Sequence, residues 1–206
     1  MSSAIKHVIF FVLIVFYCGK AFAQDSTSTK NNDWKRRGFI DAGIYLANPG
    51  KESYVAGGYE LSPGIQASVS GYLFPKVLFG ARYATFKGTV TDKQLVGDYS
   101  ETRFSTFGVQ LGYDLISNRR FQIRLQGGAG ATTHIHTKSI PRDFRENGGS
   151  LWFNPQLNVP LWKWLALYIM PEYRVDFMAT NVPAELKDAF GTISYLNASA
   201  GFQIRL

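Results

Sequence analysis

Cysteine is almost missing from this chain: one residue in 206, Cys18. No zinc-finger spacing can be built from it, and an exported domain without disulfides has to be held together by some other device. Long apolar runs are missing too. The longest, "VIFFVLIVFYCG" (Val8 to Gly19), is a dozen residues, short of the roughly 20 that a helix needs to cross a bilayer. Clustered charge is scarce. The formal net charge is +7, yet the only basic run is "NNDWKRRG", Asn31 to Gly38. With no basic helix and no aromatic RNA-binding signature beside it, nucleic acid is not an expected partner. No convincing helical period appears either, apart from a possible exposed turn at "PAELKDAF", Pro183 to Phe190.

What is present begins with a targeting segment. Lys6 and His7 precede the apolar run, and "KAFAQD" follows it, with small Ala21 and Ala23 placed before Gln24. This pattern reads as a cleavable secretory signal over 1–23, with the mature chain starting at Gln24. Lipidation at Cys18 is the rival reading, disfavoured by bulky Tyr17 before it. Loss of the signal removes Cys18, Lys6 and Lys20, which takes the formal charge from +7 to +5. Residues 24–37, "QDSTSTKNNDWKRR", are polar and aperiodic and read as a flexible periplasmic leader. Residues 38–206 are the folded domain.

Within that domain the period is two. In "FQIRLQGGAGATTHIHTK", Phe121, Ile123, Leu125, Ala129 and Ile135 share one face, and Gln122, Arg124, Gln126, Thr132, His134 and His136 share the other. Eight such segments are expected: Phe39–Ala47, Gly64–Leu73, Val77–Thr89, Phe104–Leu115, Phe121–His136, Leu151–Val159, Leu165–Phe177 and Ile193–Leu206. The links alternate in length. "FPK", "ISNRR" and "PLWKW" are short, whereas those from Asn48, Gly88, Thr137 and Met178 are long and polar. One rim is trimmed and the other elaborated, and both ends of the domain lie at the trimmed rim.

Alternation alone does not separate a soluble barrel with an apolar inside from a membrane barrel with an apolar outside. The composition of the faces does. One face carries Asp41, Arg82, Asp114, Arg124, Glu172, Arg174, Asp176 and Arg205 among glycines. Such small and oppositely charged residues suit the narrow lumen of about eight strands. The other carries Ile44, Ile65, Val109, Leu111, Leu157, Ile169 and Ile204, a coat for lipid. Aromatic girdles are expected from Phe74, Tyr113, Phe121, Trp162, Trp164 and Phe202 at the short-turn rim, and from Tyr45, Phe107, Tyr173 and Phe177 at the other. About 11 residues, rising roughly 3.3 Å each and tilted about 45°, cover the apolar band of roughly 25 Å.

A lumen charge network of Asp41, Arg82, Asp114, Arg124, Glu172, Arg174 and Arg205 is therefore the candidate site. Counting from the short-turn rim pairs Asp41 with Arg205 and Asp114 with Arg124, and puts Arg82, Glu172 and Arg174 near mid-height. Unpaired charges would be costly there, so pairing and an occluded lumen are expected together. Pro155 and Pro171 fall inside strands, where a bulge or a break in pairing must accommodate them. His134 and His136 could chelate a metal, but no third ligand adjoins them in sequence. Ser105, Ser194 and Ser199 lack any hydrolase motif. "GGAGA" lacks the Lys-Ser/Thr of a phosphate loop and reads as close backbone packing. No catalytic, cofactor or metal residue is assigned.

The signal, the eight alternating strands, the lopsided links and a last strand "YLNASAGFQIRL" resemble the small outer-membrane β-barrels related to OmpX and the OmpA transmembrane domain. The resemblance implies an all-β, eight-stranded antiparallel up-and-down transmembrane barrel in the bacterial outer membrane. It also implies contact with outer-membrane lipid and lipopolysaccharide, insertion by the barrel assembly machinery, a monomer and no cofactor. Leu206 stands where that family commonly ends in Phe, with Phe202 and Ile204 on its face. Because such barrels include adhesins, anchors, narrow channels and lipid-modifying enzymes, the expected function is non-enzymatic presentation of surface loops or support of the envelope. The alternatives are a narrow solute channel and a lipid-A-modifying enzyme.

Overall fold

A computed structural model describes residues 38–118, 120–137, 144–179 and 191–206. The expected signal, the leader, the basic run and the turn at Pro183 to Phe190 lie outside these residues.

Eight strands form one closed antiparallel barrel in chain order. They are β1 (Gly38–Leu46), β2 (Tyr59–Phe74), β3 (Val77–Val90) and β4 (Glu101–Ser117), followed by β5 (Gln122–Thr137), β6 (Phe144–Pro160), β7 (Leu165–Met178) and β8 (Thr192–Arg205). The barrel shuts where β1 pairs with β8, from Phe39 opposite Arg205 to Leu46 opposite Ala198. Closure gives every strand a partner on both sides and leaves no edge.

Period two becomes the burial pattern directly. Gln122, Arg124, Gln126, Thr132, His134 and His136 of β5 are buried in the lumen, and Ile44, Ile65, Leu111, Ile169 and Phe202 are exposed outside. Among the described residues no helix is long and apolar enough to cross a membrane. The strands carry the apolar belt instead.

Three strands run farther toward the long-loop rim than the sequence pattern predicts. β2 starts at Tyr59 instead of Gly64, β4 at Glu101 instead of Phe104, and β6 at Phe144 instead of Leu151. Their partners supply the reason: Tyr59 pairs with Val90, Glu101 with Thr137, and Phe144 with His136, so the hairpins continue above the apolar belt where polar side chains are tolerated. A register shift between Ser62 and Ile65 lets β2 pass Pro63.

At the opposite rim the links are tight. Pro75 and Lys76 join β2 to β3, with Lys76 at φ 70°, the left-handed conformation such a turn requires. The Asn118 side chain accepts from the Arg120 and Phe121 amides at 3.0 and 2.8 Å and so closes the next turn.

The expected break at the prolines is present. Pairing of β6 with β7 stops between Phe153/Tyr173 and Leu157/Ile169, then resumes in the same register. Continuation of that register sets Pro155 opposite Pro171, and neither has an N–H to give across the seam.

Two short helices belong to the long-loop rim. The first, α1 (Tyr54–Gly58), is capped by Ser53, whose side chain accepts from the Ala56 amide, and the second, α2 (Lys93–Val96), by Asp92. The sequence pattern anticipates neither, since each is shorter than the window in which a helical period shows.

Candidate functional site: the packed lumen

The lumen fills in three storeys, each set by the height of its residues along the strands. In the lowest, near the short turns, the Arg124 Nε lies 2.8 Å from the Asp114 Oδ1, as the sequence reading expects, and its guanidinium lies over the Phe39 ring at 4.3 Å. The Tyr72 hydroxyl donates to the same Asp114. Asp41 departs from expectation. It accepts from Gln203 at 2.8 Å, from Ser68 at 3.0 Å and from Gln156 at 3.5 Å, not from Arg205. The seam register decides this: Asp41 lies opposite Gln203, and Arg205 lies two residues lower, opposite Phe39.

The middle storey spans the barrel. Arg82 on β3 meets Glu172 on β7 at 2.5 Å, both side chains buried. These strands are four apart in a ring of eight, so the ion pair crosses the diameter. Glu172 also accepts from the Tyr45 hydroxyl at 2.6 Å and from Asn197 at 2.9 Å. Arg174 pairs with Asp176 at 3.1 Å and donates to Tyr45 on β1 and Thr106 on β4, each at 3.2 Å. Tyr45 is thus a lumen residue with no exposed surface, which corrects its expected place in the outer aromatic girdle. It sits on the inward parity of β1, between exposed Ile44 and Leu46.

Trp152 also points inward, with the Arg82 guanidinium 5.2 Å from its ring centre. Gly108 and Gly128 make its space: a Cβ on either would come within 2.8 or 2.5 Å of the indole. Within "GGAGA", Gly128 therefore serves close packing against the tryptophan, and Gly130 against the β4 backbone at Phe107 and Gly108.

The top storey is apolar. Phe86 and Phe104 stack at 4.8 Å, with Ile193, Tyr195 and Met178 around them, and α1 closes over this cluster with Tyr54 and Val55 buried beneath it. The lid is laced to β8. The Gly50 amide donates to the Ser194 carbonyl at 2.8 Å, and the Leu196 amide to the Asn48 carbonyl at 2.9 Å. It also rests on α2 through Gly57 against Leu95 and Gly58 against Val96.

His134 and His136 reach this level from β5. His134 Nδ1 is 3.2 Å from the Tyr54 hydroxyl, and burial raises the pKa of that hydroxyl, which keeps it neutral. His136 lies 2.8 Å from Thr102 and 3.3 Å from Glu146. Among the described residues no three side chains are grouped as metal ligands, and neither histidine is bonded to a serine. Ser105 is bonded to Thr85 and Ser199 to Tyr168. The Thr102–His136–Glu146 chain has the order of a nucleophile relay, but Thr102 is fully buried, so no substrate carbonyl can reach it.

No protein-family model matches the chain, and no curated protein sequence does. Solved structures do match in shape. Neisserial surface protein A aligns with a TM-score of 0.61 at 13% identity, over 82% of this chain and 97% of that one. Ail, the attachment invasion locus protein of Yersinia pestis, aligns at 0.52 and 11%, over 83% and 99%. The outer membrane protein OprG of Pseudomonas aeruginosa aligns at 0.51 and 14%, over 83% and 96%. With the closed register and the outward apolar belt, these likenesses show the fold: an eight-stranded antiparallel barrel of the kind found among bacterial outer-membrane proteins.

Proposed function

We propose that the chain is a closed, non-enzymatic barrel of the bacterial outer membrane that holds its long-loop rim at the cell surface for contact there or for support of the envelope. The diametric Arg82–Glu172 pair beneath the α1 lid carries this reading. A conduit for solutes would have to part a buried ion pair and displace an apolar plug, each of which carries a large cost. The rim is tied down at two places, since the segment ahead of α1 is bonded to β8 and the Gly58 carbonyl at the end of α1 accepts from the Thr91 and Asp92 amides ahead of α2. In this reading the belt is surrounded by outer-membrane lipid and lipopolysaccharide. Strand β8, with Phe202 and Ile204 exposed, is the face offered to the barrel assembly machinery, and the barrel works as a monomer.

Orientation supplies the test. Lys51 and Lys93 lie at the long-loop rim, and Lys76 and Lys163 in the short turns, all exposed. A membrane-impermeant amine reagent on intact cells should label the first two, and should reach the second two only after lysis. Labelling of Lys76 and Lys163 in intact cells would overturn the reading.

A further inference from the structure

A cavity of about 410 Å³ opens outside the barrel, on the flank of β4, β5 and β6 near the long-loop rim, lined by Glu101, Arg103, Ile135, Thr137 and Arg145. Its two arginines are neighbours in register, Arg103 opposite Ile135 and Ile135 opposite Arg145, and both are exposed. Lys87 lies opposite Arg103 on the other side and is held by Glu101 at 2.8 Å. Among the described residues no carboxylate forms an ion pair with Arg103 or Arg145. The one acid in the cavity wall is already held by a lysine, so among the described residues the arginine pair has no carboxylate of its own.

The wall beneath says which kind of anion. One step down the same face, Thr85 and Ser105 are hydrogen-bonded at 3.0 Å, and Thr133 and Asn147 at 3.1 Å. The next step is aromatic, with Tyr83 and Phe107 exposed, and below it the wall is apolar, with Val109, Leu111, Leu151 and Phe153 exposed. From the cavity downward the surface passes from guanidinium to hydroxyl to aromatic to aliphatic. This gradient matches one molecule of phosphate head, sugar or glycerol neck and acyl tails.

We propose that the cavity between Arg103 and Arg145 is a headgroup site for a phosphorylated lipid of the surrounding leaflet, its phosphate held by the two guanidinium groups and its chains laid along the Phe107–Leu151 wall. Planar guanidinium groups bind phosphate oxygens in bidentate fashion, which suits a site built of arginines. The proposal rests on the membrane placement proposed above and adds a lipid class to it.

The probes are bisphosphorylated lipid A, the same lipid stripped of phosphate, and inorganic phosphate, each presented to the refolded full chain in phosphatidylcholine nanodiscs and read by native mass spectrometry. The wild type should retain the bisphosphorylated form about tenfold or more over the stripped form. R103Q/R145Q should lose that preference, whereas R103K/R145K should keep most of it. Millimolar inorganic phosphate should not displace the lipid. Equal retention of the two lipids, or an unchanged preference in R103Q/R145Q, would overturn the site alone. Displacement by inorganic phosphate would overturn the lipid assignment in favour of a soluble-anion pocket. If the wild type does not insert into phosphatidylcholine at all, the membrane placement falls and this site with it.

Discussion

Each buried guanidinium of the lumen lies both beside an acid and over a ring. Arg124 has Asp114 and Phe39, Arg82 has Glu172 and Trp152, and Arg174 has Asp176 and the Tyr195 ring at 4.2 Å. The carboxylate answers the charge and the ring covers the face that water would otherwise solvate. Removal of one partner leaves the other buried and uncompensated. Glu172→Ala should therefore destabilise the barrel by about 3–5 kcal/mol in a urea titration of protein refolded into lipid vesicles. Gly128→Ala tests the tryptophan packing, because the added methyl would meet the indole and the Val109 carbonyl, each at 2.5 Å. Overpacking of this kind costs about 1–3 kcal/mol, read by the same titration. On the outer face, depth decides the cost of a charge. Leu111→Arg, within the apolar belt and 57% exposed there, should cost about 2–4 kcal/mol, and Thr133→Arg, in the hydroxyl row above it, about 0–1 kcal/mol. Equal costs would deny that the belt faces lipid.

At the scale of elements, the β6–β7 ladder is interrupted in mid-strand, between Phe153/Tyr173 and Leu157/Ile169. Pro155 and Pro171 have no N–H to give each other there, so the ladder bonds that a 155/171 pair would make are absent. Pro155→Ala/Pro171→Ala restores two N–H groups and should stabilise the barrel by about 1–3 kcal/mol, from roughly 0.5–1.5 per bond. Unchanged or lowered stability would mean that the pyrrolidine rings are packed in place for another reason. The prolines and the alternation of faces are legible in the sequence, because period two maps one to one onto inside and outside; Tyr45 is the exception, expected in the outer girdle although it shares the inward parity of Asp41. The upper ends of β2 and β6 are not legible. "YELSPG" and "FRENGGS" have the composition of loops and pair only because a partner strand lies beside them. The α1 lid is equally hidden: five residues leave no period, and its one local signal is Ser53 at the cap. The Asp41 partner depends on the seam register, which joins the two ends of the domain and is written in neither strand alone.

For the whole molecule, three buried guanidinium groups face four buried carboxylates, and an aromatic plug covers them. Neutralisation and occlusion meet in the middle storey, where the Arg82–Glu172 pair crosses the lumen and Arg174 reaches from β7 to Tyr45 and Thr106, whereas Asp41 is answered by hydrogen bonds alone. This is what separates the barrel from a channel of the same strand number, in which water would solvate the wall charges singly. Single-channel recording on the wild-type barrel in a planar bilayer tests that claim most directly. Inserted protein, verified by its resistance to protease, should give no discrete conductance above the bare bilayer. A steady stepwise ion current from the wild type would contradict the closed lumen and make the chain a narrow channel.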